Sequence, residues 1–286
     1  LTCFDEAPEF AAPSDADVAE DEDLNSFMPD DTNAGYDMMD LLVQLGDDED
    51  ILEIQENYAP NLICAIGRID GRPVGFVANN PMHLAGCIDA DAADKGARFI
   101  RICDAYNIPL VFVVDTPGYL PGVEQEKVGL IHRGAKFAFA VVEATVPKVS
   151  LIVRKAYGGA YAVMGSKNLT GDINLAWPTA QIAVMGAEGA AAIIKRREIE
   201  EAGENGPAIR QAFIDFYNQF MATPWLAAER GYMVLTADLS LREATVEGAV
   251  RMLADKRAKG PATRGGAKKP AARKAPAKKT TARKKA

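Results

Sequence analysis

The sequence predicts an α/β domain with a largely parallel sheet. Three apolar runs, residues 109–114, 149–153 and 181–185, have the length of strands and do not alternate between polar and apolar side chains. Segments with helical periodicity separate them, so helix and strand alternate along the chain. Strands of this kind lie in sheets whose two faces are covered. With 286 residues, 48% of them hydrophobic, the chain is long enough to bury such a core.

The first elements are a linker, a short helix and a hairpin. Residues 1–35 are acidic and rich in Ala, Pro and Asp, and we expect them to form a largely disordered linker. A short helix is predicted over 36–45. Two apolar runs follow, at 61–68 and 73–79. Between them stands Asp70-Gly71, a typical hairpin turn.

Helices and strands then alternate up to the end of the domain. The stretch 89–106 places apolar residues on one helical face, and the first buried run follows it directly. The residues assigned to that face are Ala92, Gly96, Phe99, Ile100, Cys103 and Tyr106. Further helices are predicted over 129–145, 187–197, 209–221 and 241–256. We place the folded domain at residues 36–258.

Charge divides the chain into two unlike parts. Residues 256–286 contain thirteen Lys or Arg and no acidic residue. Since the whole chain carries −8, the first 255 residues carry −21. We predict a disordered basic tail over 259–286, built from Lys, Ala and Pro. Such a tail attracts nucleic acid only non-specifically, because it has no aromatic ring for base stacking, and a solvated tail is the simpler interpretation.

The cysteines and the amino-terminal stretch bear on cellular location. Cys3, Cys64, Cys87 and Cys103 form no CxxC pair, which is typical of free thiols in a reducing compartment. No apolar run approaches the roughly 20 residues of a membrane-spanning helix, and no signal-peptide pattern is present. We therefore expect a cytoplasmic protein without a membrane anchor. Its start at Leu1, inside a polar stretch, suggests a linker within a longer protein.

Three loops are candidate positions for chemistry, because ligands of parallel sheets bind at the carboxyl ends of the strands. They are residues 115–122, 155–160 and 186–190. The first contains Asp115-Thr-Pro-Gly, which resembles a GTPase turn, but the chain has no GxxxxGK[ST] run and a GTPase is excluded. Asp115 is interpreted instead as a capping carboxylate. The two histidines, His83 and His132, follow no buried strand, so neither a catalytic triad nor a zinc site is expected.

Gly158 and Gly159 stand between the second buried strand and a helix predicted to open at Ala160. Glycine there permits close approach of a ligand, and backbone N–H groups at a helix start have no acceptor within the helix. Two such N–H groups would form an oxyanion hole. The same pair would also suit a tight crossover turn, and the spacing leaves both interpretations open.

Several runs resemble the carboxyltransferase β subunits of propionyl-CoA and related acyl-CoA carboxylases. They are VDTPGYLPGVEQE (114–126), EATVPKVSLIVRKAYGGAYAVMGSK (143–167), LAWPTAQIAVMGAEGA (175–190) and VANNPMHLAGCIDADAADKGARFIRICDAYNIPL (77–110). The resemblance covers about residues 29–256. The family chain has two crotonase-like domains, and this sequence resembles only the C-terminal one. The resemblance implies a single α/β domain with the crotonase-like (ClpP/crotonase) fold and repeated β-β-α units.

The resemblance also implies a site and an activity. The amides of Gly159 and Ala160 would hold the biotin ureido oxygen, with Gly158 giving the turn its freedom. Tyr161 would contact the cofactor, and Tyr161 and Ala162 would lie near the acyl pocket. The implied reaction transfers CO2 from carboxybiotin, carried on a separate protein or domain, to the α-carbon of a short acyl-CoA such as propionyl-CoA.

The implied partners are the acyl-CoA, an N-terminal carboxyltransferase domain and a biotin carboxylase with its biotin carrier subunit. The resemblance further implies a homo-oligomer, with dimers of facing domains and a hexamer in the complete enzyme. Two alternatives stay open. One is a biotin-dependent decarboxylase that runs the transfer backwards, and the other is a non-catalytic subunit that serves assembly.

Overall fold

The computed structural model describes Leu24, residues 27–29, Asp31, residues 34–231 and Val234–Leu235. The predicted helix over 241–256, the domain end near 258 and the basic tail lie outside the described residues. No helix in the described part of the chain is long and apolar enough to cross a membrane.

An eight-stranded sheet forms the centre of the described domain. Its strands are β1 (Leu52–Glu53), β2 (Leu62–Ile69), β3 (Arg72–Asn79), β4 (Leu110–Thr116), β5 (Lys148–Tyr157), β6 (Ile173–Ala176), β7 (Gln181–Ala183) and β8 (Val234–Leu235). The order is β1-β2-β3-β4-β5-β6-β8, and β7 pairs with β5 beside this path. The pairs β1–β2 and β2–β3 are antiparallel, and all others are parallel. The predicted α/β class with a largely parallel sheet is confirmed.

The predicted hairpin is confirmed at its turn. Ile69 pairs with Arg72, which leaves Asp70 and Gly71 as a two-residue loop. Both have positive φ, 52° and 71°. A type I′ turn requires positive φ at both central residues, and Asp-Gly is a favoured pair for it.

Nine α-helices connect and cover the strands within the described residues. They are α1 (Met38–Leu45), α2 (Ala90–Ala105), α3 (Val123–Lys127), α4 (Leu130–Glu143), α5 (Gly158–Val163), α6 (Ala187–Ile194), α7 (Arg196–Glu201), α8 (Gly206–Phe220) and α9 (Pro224–Glu229). The β-β-α succession occurs as β2-β3-α2 and again as β6-β7-α6. The predicted helix over 187–197 is interrupted at Lys195, which separates α6 from α7.

Helix α2 begins where the sequence predicts, because the Asp89 carboxylate accepts a hydrogen bond from the Ala92 N–H at 2.9 Å. This is an N-cap, which satisfies one of the donors left free at a helix start. Tyr106 is a correction. The sequence places it on the same helical face as Cys103, but it is the C-cap residue and is 62% exposed, because the chain leaves the helix there.

The third predicted strand is partly wrong. Residues 181–183 do form β7, but this strand is short and only half-buried, and it pairs with the end of β5. On the side of β5 away from β4 lies β6. This strand is fully buried, and the sequence did not predict it. Asn174 interrupts its apolar pattern, and that side chain is buried rather than exposed.

The first face of the sheet packs against helices α2 and α4. Phe112 and Ile152 of the sheet form one cluster with Ile100 of α2 and Phe137 of α4, and all four are fully buried. Each such side chain contributes about 1.5–3 kcal/mol of transfer free energy.

The second face packs against α1. Val113 and Leu151 point to this side and cluster with Leu42 of α1 and with Trp177. Leu24 is buried in the same cluster, and Phe27 and Met28 pack against it. The described part of residues 1–35 therefore includes side chains that belong to the core. The linker over 1–35 stays a prediction. An apolar residue packs where it finds an apolar face, even in an acidic stretch.

Asp104, near the end of α2, holds the turn that leads from α4 into β5. Its Oδ1 accepts hydrogen bonds from the Thr145 N–H at 2.7 Å, the Thr145 hydroxyl at 3.0 Å and the Val146 N–H at 3.3 Å. These bonds, led by that of the Thr145 N–H, hold the pKa of Asp104 below its ordinary value of 3.8.

We expect Asp104→Ala to lower the free energy of unfolding by about 1 kcal/mol at pH 7, since water partly screens the site. A carboxyl group with a lowered pKa stabilises the fold above its ordinary pKa and loses that effect as pH falls through the lowered value. Urea unfolding should therefore show a difference from wild type that shrinks below pH 3.8. Asp215→Ala, which removes one exposed hydrogen bond from Gln211, is the control and should change little. An undiminished difference at pH 3 would contradict this account.

Candidate functional site

The three loops singled out in the sequence come together at one end of the sheet. Thr116 at the end of β4 pairs with Ala156 of β5, and Tyr157 of β5 pairs with Ala183 of β7. A Cβ placed on Gly158 would lie 3.0 Å from the Val184 carbonyl oxygen, so the turn after β5 touches the segment after β7. The parallel pairing of β4, β5 and β7 produces this convergence.

Helix α5 begins at this end of the sheet, and no side chain caps the amides of its first turn. Gly158 has φ +57°, a backbone conformation that residues with a Cβ rarely adopt. It turns the chain from β5 into the helix. The amides of Gly158, Gly159 and Ala160 belong to the first turn, so no carbonyl within the helix accepts from them. The N-cap residue, Tyr157, makes no side-chain cap, because its hydroxyl donates to the Gln181 side chain instead. The first turn contains no acidic residue, so an approaching anionic oxygen meets donors without a competing carboxylate.

The predicted site residues differ in how accessible they are. Gly159 is exposed, whereas Ala160 is fully buried, and Tyr161 and Ala162 are half-buried. A Cβ on Gly159 would lie 3.7 Å from Cε2 of Tyr119, which is ordinary van der Waals contact. In this structure a ligand can therefore reach the turn at Gly159, while Ala160 faces the core.

A buried ion pair lies behind the turn. The Asp115 carboxylate accepts from Arg154 Nε at 2.9 Å, from the Tyr36 hydroxyl at 2.7 Å and from the Lys155 N–H at 3.0 Å. The side chains of Asp115 and Arg154 are 1% and 5% exposed. Arg154 also donates to the Ala34 carbonyl at 2.8 Å. Asp115 is therefore a buried anion that joins the ends of β4 and β5, and its interpretation as a simple turn cap is corrected.

Arg154 and Tyr36 were missed by the sequence analysis. The guanidinium lies 4.8 Å from the centre of the Tyr36 ring, close enough for a cation–π interaction. Burial and the neighbouring Asp115 carboxylate raise the pKa of Tyr36 well above its ordinary value. The one available signal was an arginine directly after the apolar run at 149–153, since a buried charge needs a partner.

The tyrosine hydroxyls around the turn stay protonated at neutral pH. Burial raises the pKa of the hydroxyls of Tyr119, Tyr157 and Tyr161 to about 12. His83 and His132 are both exposed. Within the described residues, no group of three or more His, Cys, Asp or Glu side chains could hold a metal ion. What the turn offers chemically is a set of neutral hydrogen-bond donors that can stabilise negative charge on an oxygen.

A separate cavity of about 570 Å³ lies beside α2. Asp94, Arg98, Arg101 and Lys136 line it, together with Tyr106. It contains none of the residues of the turn, so we do not assign it to the same site.

The family described as "Carboxyl transferase domain" matches residues 3–267. A propionyl-CoA carboxylase beta chain from Saccharopolyspora erythraea is 52% identical over 255 residues, which are 88% of this chain and 46% of that protein. A methylmalonyl-CoA decarboxylase subunit alpha from Propionigenium modestum is 45% identical over 263 residues, 92% of this chain and 50% of that protein. The chain spans about half the length of the curated relatives it matches.

The fold is also similar to that of solved structures. The crystal structure of transcarboxylase 12S, a hexamer assembly with methylmalonyl-coenzyme A and methylmalonic acid bound, has a TM-score of 0.80 and 44% identity. The similarity covers 92% of this chain and 50% of that one. The predicted crotonase-like carboxyltransferase fold is thereby confirmed.

Proposed function

This chain belongs to the carboxyl transferase domain family, and from that premise we propose that it is the biotin-binding half of a biotin-dependent acyl-CoA carboxyltransferase. The observation that carries the proposal is the uncapped first turn of α5, which Gly159 exposes at the carboxyl ends of β4 and β5. Oxyanion sites built from backbone amides need this arrangement of free donors beside an accessible glycine. Gly158 supplies the positive φ that aims the turn.

The residues present suit a biotin ureido group. Its oxygen is a hydrogen-bond acceptor, and exposed Gly159 offers a neutral amide donor with no acidic residue in its turn. The Ala160 amide, the second proposed donor, follows in the same turn and is buried in this structure. Bound carboxybiotin, carried by a separate carrier protein or domain, supplies the CO2 that is transferred. The chain's own part is to hold the oxygen and stabilise negative charge on it. Burial keeps the Tyr161 hydroxyl neutral, so it can line the cofactor site without adding charge.

A second domain is proposed to complete the site. Three apolar side chains in the segment that follows β7 are exposed, Val184 at 77%, Ile193 at 66% and Ile194 at 63%. A patch of this kind marks a surface that another protein covers. We assign it to an N-terminal carboxyltransferase domain that binds the acyl-CoA, in dimers of facing domains within a homo-hexamer. The hexamer assembly of the transcarboxylase 12S neighbour supports this proposal.

The acyl group is proposed to be short, such as propionyl, with Tyr161 and Ala162 near its pocket. Half-buried Ala162 is small and leaves space there. The similarity to a methylmalonyl-CoA decarboxylase subunit supports one alternative, the reverse reaction. A non-catalytic assembly subunit is the other alternative.

The remaining partners are a biotin carboxylase and a biotin carrier subunit, with a role in fatty acid metabolism. We place the protein in the cytoplasm. The described cysteines, Cys64, Cys87 and Cys103, are all free thiols, as in a reducing compartment.

The decisive experiment measures methylmalonyl-CoA decarboxylation with free biotin as the carboxyl acceptor. It also measures propionyl-CoA carboxylation with free biotin that a biotin carboxylase carboxylates from ATP and bicarbonate. This chain alone should be inactive, and its mixture with a separately expressed N-terminal domain of a relative should be active. Transfer is expected in both directions, because a catalyst accelerates both, so the partner subunits that bind this chain distinguish a carboxylase from a decarboxylase. A mixture that forms a stable complex but shows no transfer in either direction would favour the assembly subunit.

A further inference from the structure

We propose that Tyr119 is a positioning residue for the first turn of α5, acting through the packing of its ring between Gly134 and Gly159. The inference rests on the proposed function, because the turn that it positions is the one assigned to biotin. Tyr119 lies in the loop after β4, and nothing in its sequence context assigns it a role.

The backbone on both sides of Tyr119 is fixed. Ile88 N–H donates to the Gly118 carbonyl at 3.1 Å, and Leu120 N–H donates to the Ile88 carbonyl at 2.9 Å. These two bonds form a short parallel bridge between Ile88 and Tyr119. Hydrogen bonds therefore fix the backbone that carries the ring, although the loop contains two Pro-Gly pairs.

Two helices each place a glycine, which has no side chain, next to this ring. A Cβ on Gly134, in the middle of α4, would lie 3.1 Å from Cε1 and from the hydroxyl oxygen of Tyr119. A Cβ on Gly159, in α5, would lie 3.7 Å from Cε2 on the opposite edge. Glycine is unfavourable inside a helix relative to alanine, and the tight contact explains why α4 has one at 134. The ring thus packs against the turn at Gly159 on one edge and against α4 on the other.

The Tyr119 hydroxyl is suited to packing and not to proton transfer. Burial raises its pKa to about 12, so it stays neutral at physiological pH. Among the described residues no hydrogen bond to this hydroxyl is found, and a Cβ on Gly134 would lie 3.1 Å from its oxygen. Loss of the hydroxyl alone should therefore matter far less than loss of the ring.

The test compares Tyr119→Leu, which removes the ring, with Tyr119→Phe, which keeps it. In the reconstituted reaction we expect Tyr119→Leu to lower kcat/KM for free biotin roughly 10-fold, because a displaced donor misses its acceptor. KM for the acyl-CoA should not change. Tyr119→Phe should stay within about 2-fold of wild type. Equal rates for the two variants would overturn the proposal.

Gly134→Ala tests the backing of the ring. Its methyl group must push the ring toward Gly159, and we expect a loss of roughly 3- to 10-fold. In the double variant Gly134→Ala/Tyr119→Leu the methyl group has no ring to push, so no further loss beyond Tyr119→Leu is expected. Losses that multiply would show that the two residues act independently and would reject the mechanism.

Hydrogen exchange separates this proposal from the proposed function. In the full chain without partners, the amides of 158–163 should exchange faster in Tyr119→Leu than in Tyr119→Phe. This readout needs no activity. If the wild-type mixture is inactive, the proposed function fails, and the exchange comparison alone decides whether Tyr119 positions the turn. Unchanged exchange in Tyr119→Leu counts against the inference whatever the activity.

Discussion

Leucine in place of Gly159 is expected to lower kcat of the reconstituted carboxyl transfer by roughly 10²–10³-fold, the effect of losing one oxyanion donor. Gly159 is the exposed residue of the turn, and a Cβ there already reaches van der Waals contact with the Tyr119 ring. A leucine side chain extends beyond Cβ into the space that a ligand at this turn would occupy. The backbone at 159 is helical, so the substitution introduces no conformational strain.

Alanine at the same position is the matched control. Its Cβ fits at 3.7 Å, so Gly159→Ala should lose less than about 10-fold in kcat and keep its Tm. Stopped assays at saturating acyl-CoA and free biotin would give kcat, and thermal unfolding would report the fold. Wild-type kcat in a folded Gly159→Leu variant would show that the anion is held elsewhere.

Replacing Arg154 with methionine is expected to have the largest effect on stability. The change leaves the Asp115 carboxylate buried without its guanidinium, and breaking a buried pair in this way costs about 3–5 kcal/mol. For a domain of this size, Tm should fall by roughly 6–20 °C. The two remaining donors to Asp115, the Tyr36 hydroxyl and the Lys155 N–H, compensate only in part.

Arg196→Met is the control, because it removes an arginine–carboxylate ion pair of similar length that is exposed to solvent. Arg196 Nε lies 3.0 Å from the Glu200 carboxylate, close to the 2.9 Å of the buried pair, but these side chains are 74% and 63% exposed. Exposed pairs contribute about 0–1 kcal/mol, so this variant should unfold nearly like wild type. Equal Tm losses in the two variants would show that burial does not set the strength of the Arg154 pair.

The strands were predictable where most of their residues are apolar. The runs at 109–114 and 149–153 became β4 and β5, and Asp70-Gly71 fixed its hairpin because the turn type depends only on local φ values. Strand β6 was missed because Asn174 breaks its pattern, although its side chain is buried in the sheet. Local pattern does not show which polar residues the tertiary structure encloses.

The position of the candidate site could be predicted from the sequence, but the exposure of its residues and their contacts could not. Glycines after a buried strand mark a turn that ligands can approach, and the family resemblance supplied the residues. That Gly159 is exposed and Ala160 buried depends on how α5 packs. The Asp115–Arg154 pair joins residues 39 apart, which only the register of β4 with β5 brings together. The contact of Tyr119 with Gly134 and Gly159 depends on three segments at once.

The bond from Arg154 to the Ala34 carbonyl has a practical consequence for anyone who divides this protein. A cut placed at residue 36 removes an acceptor from a buried guanidinium and also removes Leu24 from the cluster beneath the sheet. A fragment trimmed there would expose apolar surface and tend to aggregate, even though each deleted residue looks dispensable. Fusion joints and protease sites should therefore leave Leu24 attached to the domain.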